Sequence, residues 1–278
     1  MQITNPNKQS NESKHEQDKP LSWLPPKRER SSRMVWISLR RVRQWGISLC
    51  LALLVFIIMT TDLPAAKTWT YWTLPLSGKV IAIDAGHGGV DGGAVSRNKG
   101  VIEKDVNLAI ALQLRDYLQQ AGAIVIMTRE SDQDLADADQ KSLSKRKSQD
   151  LKRRVEFIQA KNPELLVSIH MNSIPSNRWS GAQTFYRGDL PANQQLAKLI
   201  QSEIKRNLDN TERVAKPDDR DLYLLKMVNV PSALVEVGFL SHPEESRLLA
   251  DVDYQNKVAA SIYKGILRYM SGETVGKD

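Results

Sequence analysis

The chain has 278 residues, 26% of them charged, with one cysteine and a formal net charge of +7. Residues 1–61 hold ten Lys/Arg and four Asp/Glu, so almost all of the net charge lies in the N-terminal segment and the remainder is close to neutral. That distribution argues against a nucleic-acid enzyme, which carries its basic surface on the folded domain. The lone Cys50 excludes an intrachain disulfide.

Residues 1–33 are rich in Ser, Asn, Lys and Arg and poor in apolar side chains, too poor to bury the surface that folding requires. A disordered, basic, cytoplasmic tail is expected over residues 1–43. Arg40, Arg41 and Arg43 close it, and residues 44–61 follow without a charge. About 18 uncharged residues lie near the lower limit for spanning a bilayer. Arginines before the run and Asp62 after it predict a cytoplasmic N-terminus and an exported C-terminal part. Trp45 on one side, and Trp69 and Trp72 on the other, suit the two interfaces. A cleaved signal peptide is the rival reading, but its n-region is unusually long and no small-x-small site adjoins the apolar run. A retained anchor is therefore expected, with Cys50 as a small lipid-facing residue.

Residues 62–78, with Pro64 and Pro75, read as a linker, and residues 79–272 as one domain. Lys79–Ile83 predicts a strand. Glu103–Gln120 predicts a helix with Val106, Ile110, Leu114 and Leu118 on one face, stopped at Gly122. Ala123–Met127 is a strand, 129–142 a polar loop, Lys145–Ala160 a basic amphipathic helix and Leu165–Ile169 another strand. Gly181–Tyr186 predicts a strand and Asn193–Leu208 a helix. Leu222–Leu225 and Ala233–Val237 read as short strands, and Tyr254–Met270 as the closing helix. Strands alternating with helices predict a single three-layer α/β domain with a mostly parallel sheet covered on both faces. In such sheets, sites collect at the carboxyl ends of strands.

The segment from Ile83 to Ala94 places His87 among glycines, with Asp84 and Asp91 on either side. Glycines there permit a sharp turn and close approach of a ligand. His170 follows the apolar run Leu165–Ile169, and His242 follows Gly238-Phe239-Leu240-Ser241; His15 falls in the tail. Glu236 stands inside the apolar segment Ala233–Phe239, where a buried carboxylate is costly unless paired or functional. Two imidazoles and one carboxylate match a catalytic zinc site, which keeps a fourth position for water, and a further glutamate serves as general base. His87, Glu103 and His170 as ligands and Glu236 as base satisfy that arithmetic. These positions are far apart, and Glu103 alone reads equally well as a helix N-terminal acid favoured by the dipole.

Other chemistries fit less well. There is no His-Glu-x-x-His helix, no Gly-x-Ser-x-Gly elbow and no phosphate-loop Lys-Ser/Thr. Asp132, Asp134, Asp137 and Asp139 lack the glycine and terminal glutamate of a calcium loop and read as a solvated acidic loop. Lys145-Arg146-Lys147 and Lys152-Arg153-Arg154 read as an exposed helix face, with contact to an anionic polymer as the functional alternative.

The motifs Asp84-Ala85-Gly86-His87-Gly88-Gly89, Glu103-Lys104-Asp105-Val106-Asn107-Leu108, Thr128-Arg129-Glu130-Ser131-Asp132, Ser168-Ile169-His170-Met171-Asn172-Ser173 and Pro231–Leu240 together resemble the zinc-dependent N-acetylmuramoyl-L-alanine amidases of the bacterial cell wall. The resemblance spans about residues 79–270. It implies Zn2+ held by His87, Glu103 and His170, catalysis by Glu236, and cleavage of the amide between N-acetylmuramic acid and L-alanine. Trp72–Lys79, Ile174-Pro175-Ser176, Trp179–Gln183 and Ile262–Tyr269 are similar to germination-specific amidases of endospore formers. That narrower likeness implies trimming of stem peptides from spore-cortex peptidoglycan, so that a partner muramic-acid deacetylase can lead to muramic-δ-lactam. It also implies a membrane-anchored enzyme acting between the forespore and mother-cell membranes, with an accessory protein as a possible partner. His242 stands where these enzymes usually carry Asn; it reads as a tolerated substitution at the surface or beside the ligands, or as a competing metal ligand. Between Asn172 and Gly181 there is no room for a helix that would block the site. A vegetative cell-separation amidase and an inactive wall-binding protein are the alternative functions; the second is disfavoured because no site residue is missing.

Overall fold

The computed structural model describes residues 38–60, 74–97 and 100–275. The tail expected to be disordered, up to residue 37, and the interfacial Trp69 and Trp72 lie outside them. The described residues fall into two units, one before and one after residue 63. In the first, α1 (Leu39–Thr60) is a 22-residue helix with no buried residue. At 1.5 Å per residue it is about 33 Å long, the thickness of a bilayer's hydrocarbon core. By length and composition it is a candidate membrane span.

The second unit is the expected α/β domain. Its elements are β1 (Val80–Ala85), α2 (Glu103–Gln120), β2 (Ile124–Met127), α3 (Leu143–Lys161), β3 (Leu165–Asn172), β4 (Gln183–Tyr186), α4 (Pro191–Leu208), β5 (Lys216–Pro217), α5 (Tyr223–Met227), β6 (Ser232–Phe239), α6 (Pro243–Leu249) and α7 (Val252–Met270). The six strands lie in the order β2-β1-β3-β6-β4-β5. All neighbouring pairs are parallel except β4 with β6. Successive strand residues face opposite ways, and both faces are covered. Ile81, Ile83, Val167 and Val235 pack with α2, α4 and α7. Ala82 and Leu166 pack with Val155 and Ile158 of α3 and Leu224 of α5. Packing begins inside the segment expected to be linker: Leu76 is fully buried, and its N–H donates to Ala121 O at 2.9 Å.

Two expectations are corrected. Leu222–Leu225 is not a strand, because Tyr223–Met227 forms the short helix α5. The Asp218 carboxylate accepts the Leu222 N–H at 2.8 Å just ahead of this helix. Leu224 and Leu225 then fill two different clusters, one against Ala82 and Leu166, the other against Phe185 and Leu234. A four-residue apolar run carries no period that separates these outcomes.

The basic face of α3 is also not wholly exposed, because Arg154 is 1% exposed. Its Nε donates to Asp150 and its Nη1 to Asp84, each at 2.8 Å. Asp84 in turn accepts from Thr128 Oγ1 at 2.8 Å and Ser168 Oγ at 2.6 Å. Burial would push the Asp84 carboxyl up, but the Arg154 charge, the neighbouring His170 ring and the hydrogen bonds from Ser168 and Arg154 outweigh it and hold the pKa at about 2, against an ordinary 3.8. The folded state therefore gains stability from Asp84 above its unfolded pKa, and that gain disappears as pH falls from about 4 towards 2.

Removing one partner of a buried pair strands the other charge. Arg154→Met is expected to lower the unfolding free energy by about 3–5 kcal/mol, measured by urea denaturation. The double variant with Asp84→Asn should lose less than the sum of the singles. Asp84→Asn should also blunt the fall in stability between about pH 4 and pH 2.

Candidate metal and active site

The carboxyl end of β1 feeds a loop held by two buried arginines from outside it. Arg129 donates from Nε to Ala85 O and from Nη2 to Gly86 O, both at 2.9 Å. Arg154 donates from Nη1 to Ala85 O at 2.8 Å and from Nη2 to His87 O at 2.6 Å. Three consecutive carbonyls thus find side-chain donors where the strand ends. The clamp holds His87 at φ +62°, a left-handed conformation that non-glycine residues seldom adopt. Gly86 lies against the His170 ring, where a Cβ would collide with the imidazole. Gly93, at φ +70°, passes within contact of both Glu103 and His87. Any larger residue at these two positions would push the rings and the carboxylate apart.

Glu103 is the first residue of α2 and is buried. Its Oε2 accepts the Ala94 N–H at 2.7 Å and its Oε1 the Met171 N–H at 3.1 Å. The same Oε1 stands 3.1 Å from His87 Nε2 and 3.1 Å from His170 Nδ1. Burial alone would raise the Glu103 carboxyl, but its contacts with His170 and His87 hold it well below the usual carboxylate range. The glutamate that could have been a simple helix-dipole acid therefore sits between the two histidines.

His87 Nδ1 lies 2.8 Å from Asp91 Oδ2, which also pairs with Lys147 Nζ at 3.0 Å. Burial disfavours the imidazolium, yet the hydrogen bonds to Asp91 and Glu103 prevail and raise the His87 pKa to about 9. A carboxylate on Nδ1 leaves Nε2 as the ligating atom and orients the ring, the arrangement that accompanies metal-bound histidine.

One donor atom from each of His87, Glu103 and His170 lies within 4.8 Å of the others, forming a potential metal-holding cluster among the described residues. Ligands about 2.0–2.2 Å from a shared tetrahedral zinc stand within 4 Å of one another. Two imidazole nitrogens and one carboxylate are also a catalytic zinc donor set, so these residues fit that ion.

Glu236 reaches the same place through sheet register. It is the Cα partner of His170 across β3 and β6, so both side chains leave one face at the carboxyl end of the sheet. Glu236 is 6% exposed. Its Oε1 accepts from Arg220 Nη1 at 2.8 Å, and its buried Oε2 has no partner among the described residues. His87, Glu103, His170, Arg220, Tyr223 and Glu236 line one cleft of about 400 Å³.

The other candidates stand apart from this cluster. His242 is the N-cap of α6, and its Nδ1 accepts the Glu245 N–H at 3.3 Å. Asp132 accepts the Gly89 N–H and pairs with Lys104, while Asp134 pairs with Arg146 at 2.8 Å. The acidic loop therefore docks against the His87 loop and α3 rather than standing free in solvent. Loop 173–182 joins β3 to β4 without a helix, as its length led one to expect. Sequence reasoning missed Asp91, Arg154 and Arg220 as parts of the site. Asp91 was visible as an acid four residues after His87; Arg154 and Arg220 lie in charge runs indistinguishable from surface.

Comparison with known proteins places the chain in a family. The family profile Amidase_3, N-acetylmuramoyl-L-alanine amidase, matches residues 81–268. The germination-specific N-acetylmuramoyl-L-alanine amidase of Bacillus subtilis (strain 168) is 55% identical over 204 residues, 73% of this chain and 85% of the relative. The CwlD amidase from Clostridioides difficile, solved in complex with the GerS lipoprotein, superposes with a TM-score of 0.69 at 45% identity, covering 70% of this chain and all of that one. The catalytic domain of CwlV from Bacillus (Paenibacillus) polymyxa var. colistinus gives 0.61 at 32% identity, covering 69% and 98%. The chain belongs to the N-acetylmuramoyl-L-alanine amidase family and is an enzyme that acts on peptidoglycan.

Proposed function

We propose that the chain is a zinc-dependent amidase that removes stem peptides from spore-cortex peptidoglycan, with His87, Glu103 and His170 as metal ligands and Glu236 as the catalytic carboxylate. The observation that carries this reading is the convergence of three donor atoms within 4.8 Å beside a buried glutamate with one free oxygen. Zinc held by His87, Glu103 and His170 would supply Lewis acidity toward the carbonyl between the lactyl group and L-alanine and would acidify a water at neutral pH.

The chain's own residues do the rest. Asp91 holds the His87 ring by its Nδ1, leaving Nε2 for the ion. Backbone N–H groups of Ala94 and Met171 hold both Glu103 oxygens. Glu236 takes the proton of the attacking water at Oε2 and delivers it to the departing amine of L-alanine. The products are a peptide with a free amino terminus and a muramic acid with a free lactyl carboxyl. A deacetylase that frees the neighbouring amine would then permit closure to muramic-δ-lactam.

The cortex assignment is supported by the germination-specific name of the 55%-identical relative. The GerS lipoprotein in the C. difficile complex supports an accessory partner for this chain as well. The candidate span α1 supports an anchored enzyme with residues 79–272 as its catalytic domain outside the cytoplasm, in the space between forespore and mother-cell membranes.

In the purified full chain, Glu236→Ala should retain one zinc per chain while muropeptide cleavage, followed by mass spectrometry, falls about 10²–10⁴-fold. His87→Ala and His170→Ala should lose the zinc, measured by elemental analysis. Undiminished cleavage by the glutamate variant, or stoichiometric zinc in either histidine variant, contradicts the assignment. The full chain should remain with membranes after carbonate extraction at its complete mass, whereas a chain lacking residues 1–61 should be released.

A further inference from the structure

We infer that Arg220 is the positioning residue for the catalytic carboxylate, dividing the two oxygens of Glu236 between an anchored Oε1 and a free, proton-accepting Oε2. The inference rests on Glu236 being the base. Arg220 Nη1 donates to Glu236 Oε1 at 2.8 Å, while Oε2 stays buried and unpartnered. A carboxylate's terminal torsion is broad and roughly two-fold, so a glutamate without an anchor would offer its oxygens without preference. A bond to one oxygen removes that freedom.

Arg220 is itself held by Phe185 and Asp218. Its guanidinium lies over the Phe185 ring, 4.4 Å from the centroid. Its Nε and its backbone N–H both donate to Asp218 Oδ1 at 3.2 Å. Asp218 is fixed in turn, because its N–H donates to Tyr186 O at 2.8 Å and its Oδ2 accepts the Leu222 N–H at 2.8 Å. Behind it, β5 pairs with β4 through Phe185 and Tyr186, and β4 pairs with β6 at Glu236 itself. The arginine thus reaches the site from a loop tied to the strand next to the one that carries the base.

Stability alone does not account for this arrangement. Arg220 offsets the burial of the Glu236 carboxylate, but a counter-charge by itself needs neither the stack on Phe185 nor the bonds to Asp218. What the contacts supply is orientation. A lysine could neutralise Oε1 but could not also lie flat on Phe185 and bond Asp218 through a planar fork.

The test uses the zinc-loaded full chain on muropeptides, with thermal unfolding and zinc content as controls. Arg220→Ala should lower kcat about 10–100-fold, the cost found for removing such a supporting group. KM should stay within about twofold and zinc should be retained, the pattern of an interaction realised in the transition state. Arg220→Lys should be less impaired than Arg220→Ala. Millimolar guanidinium should restore part of kcat to Arg220→Ala and none to Glu236→Ala. An Arg220→Ala enzyme with wild-type kcat, one changed in KM alone, or one recovered by neither lysine nor guanidinium overturns the inference. If Glu236→Ala is inactive while Arg220→Ala is normal, only this inference fails. If Glu236→Ala is active, the reading of the site fails first.

Discussion

The buried ion pair between Asp84 and Arg154 is the contact on which the site depends. Arg154 is 1% and Asp84 2% exposed, so neither charge can stay without the other. Asp84 is part of β1, and Arg154 comes from α3 on one face of the sheet. With Asp84 neutralising it, Arg154 can spend its remaining donors on the Ala85 and His87 carbonyls. Arg129 takes Ala85 and Gly86 from the other direction. The loop after β1 is thereby rigid without belonging to any regular element, and His87 can occupy a left-handed conformation.

Around that loop the fold assembles residues from separate elements. The β1 loop brings His87, the start of α2 brings Glu103, β3 brings His170 and β6 brings Glu236. Parallel register sets His170 opposite Glu236, while Gly86 and Gly93 leave the space that lets the imidazoles and Glu103 meet. Three of these four side chains then have an orienting partner: Asp91 for His87, two backbone N–H groups for Glu103, and Arg220 for Glu236. Supporting contacts of this kind hold a reactive geometry to within a fraction of an ångström, which catalysis requires.

Much of this was legible in the chain itself. The glycine-flanked His87, the strand-end His170 and the improbable carboxylate in Ala233–Phe239 all stand out against local rules. The long periodic segment Glu103–Gln120 formed where its pattern placed it, and the apolar run Leu165–Ile169 formed a strand that continues through His170 to Asn172. The misses share a cause. Leu222–Leu225 was too short for its period to be read, and its leucines fill two separate clusters. Arg154 lies in a run of basic residues on an amphipathic helix, and nothing in that run marks which one turns inward.

Local composition and pattern therefore determined the candidate membrane helix, the α/β class and the polar residues with chemical capacity, because these follow from hydrophobic period and from the cost of burying charge. Three-dimensional packing decided which charges were buried and paired. It seated Arg154 on Asp84, Asp91 on His87 and Arg220 on Glu236, joining residues 70, 4 and 16 positions apart. Arg154 and Arg220 depend on elements meeting across the sheet, which the chain order alone does not give, whereas Asp91 lies four residues from His87 and the turn of the loop decided that they meet.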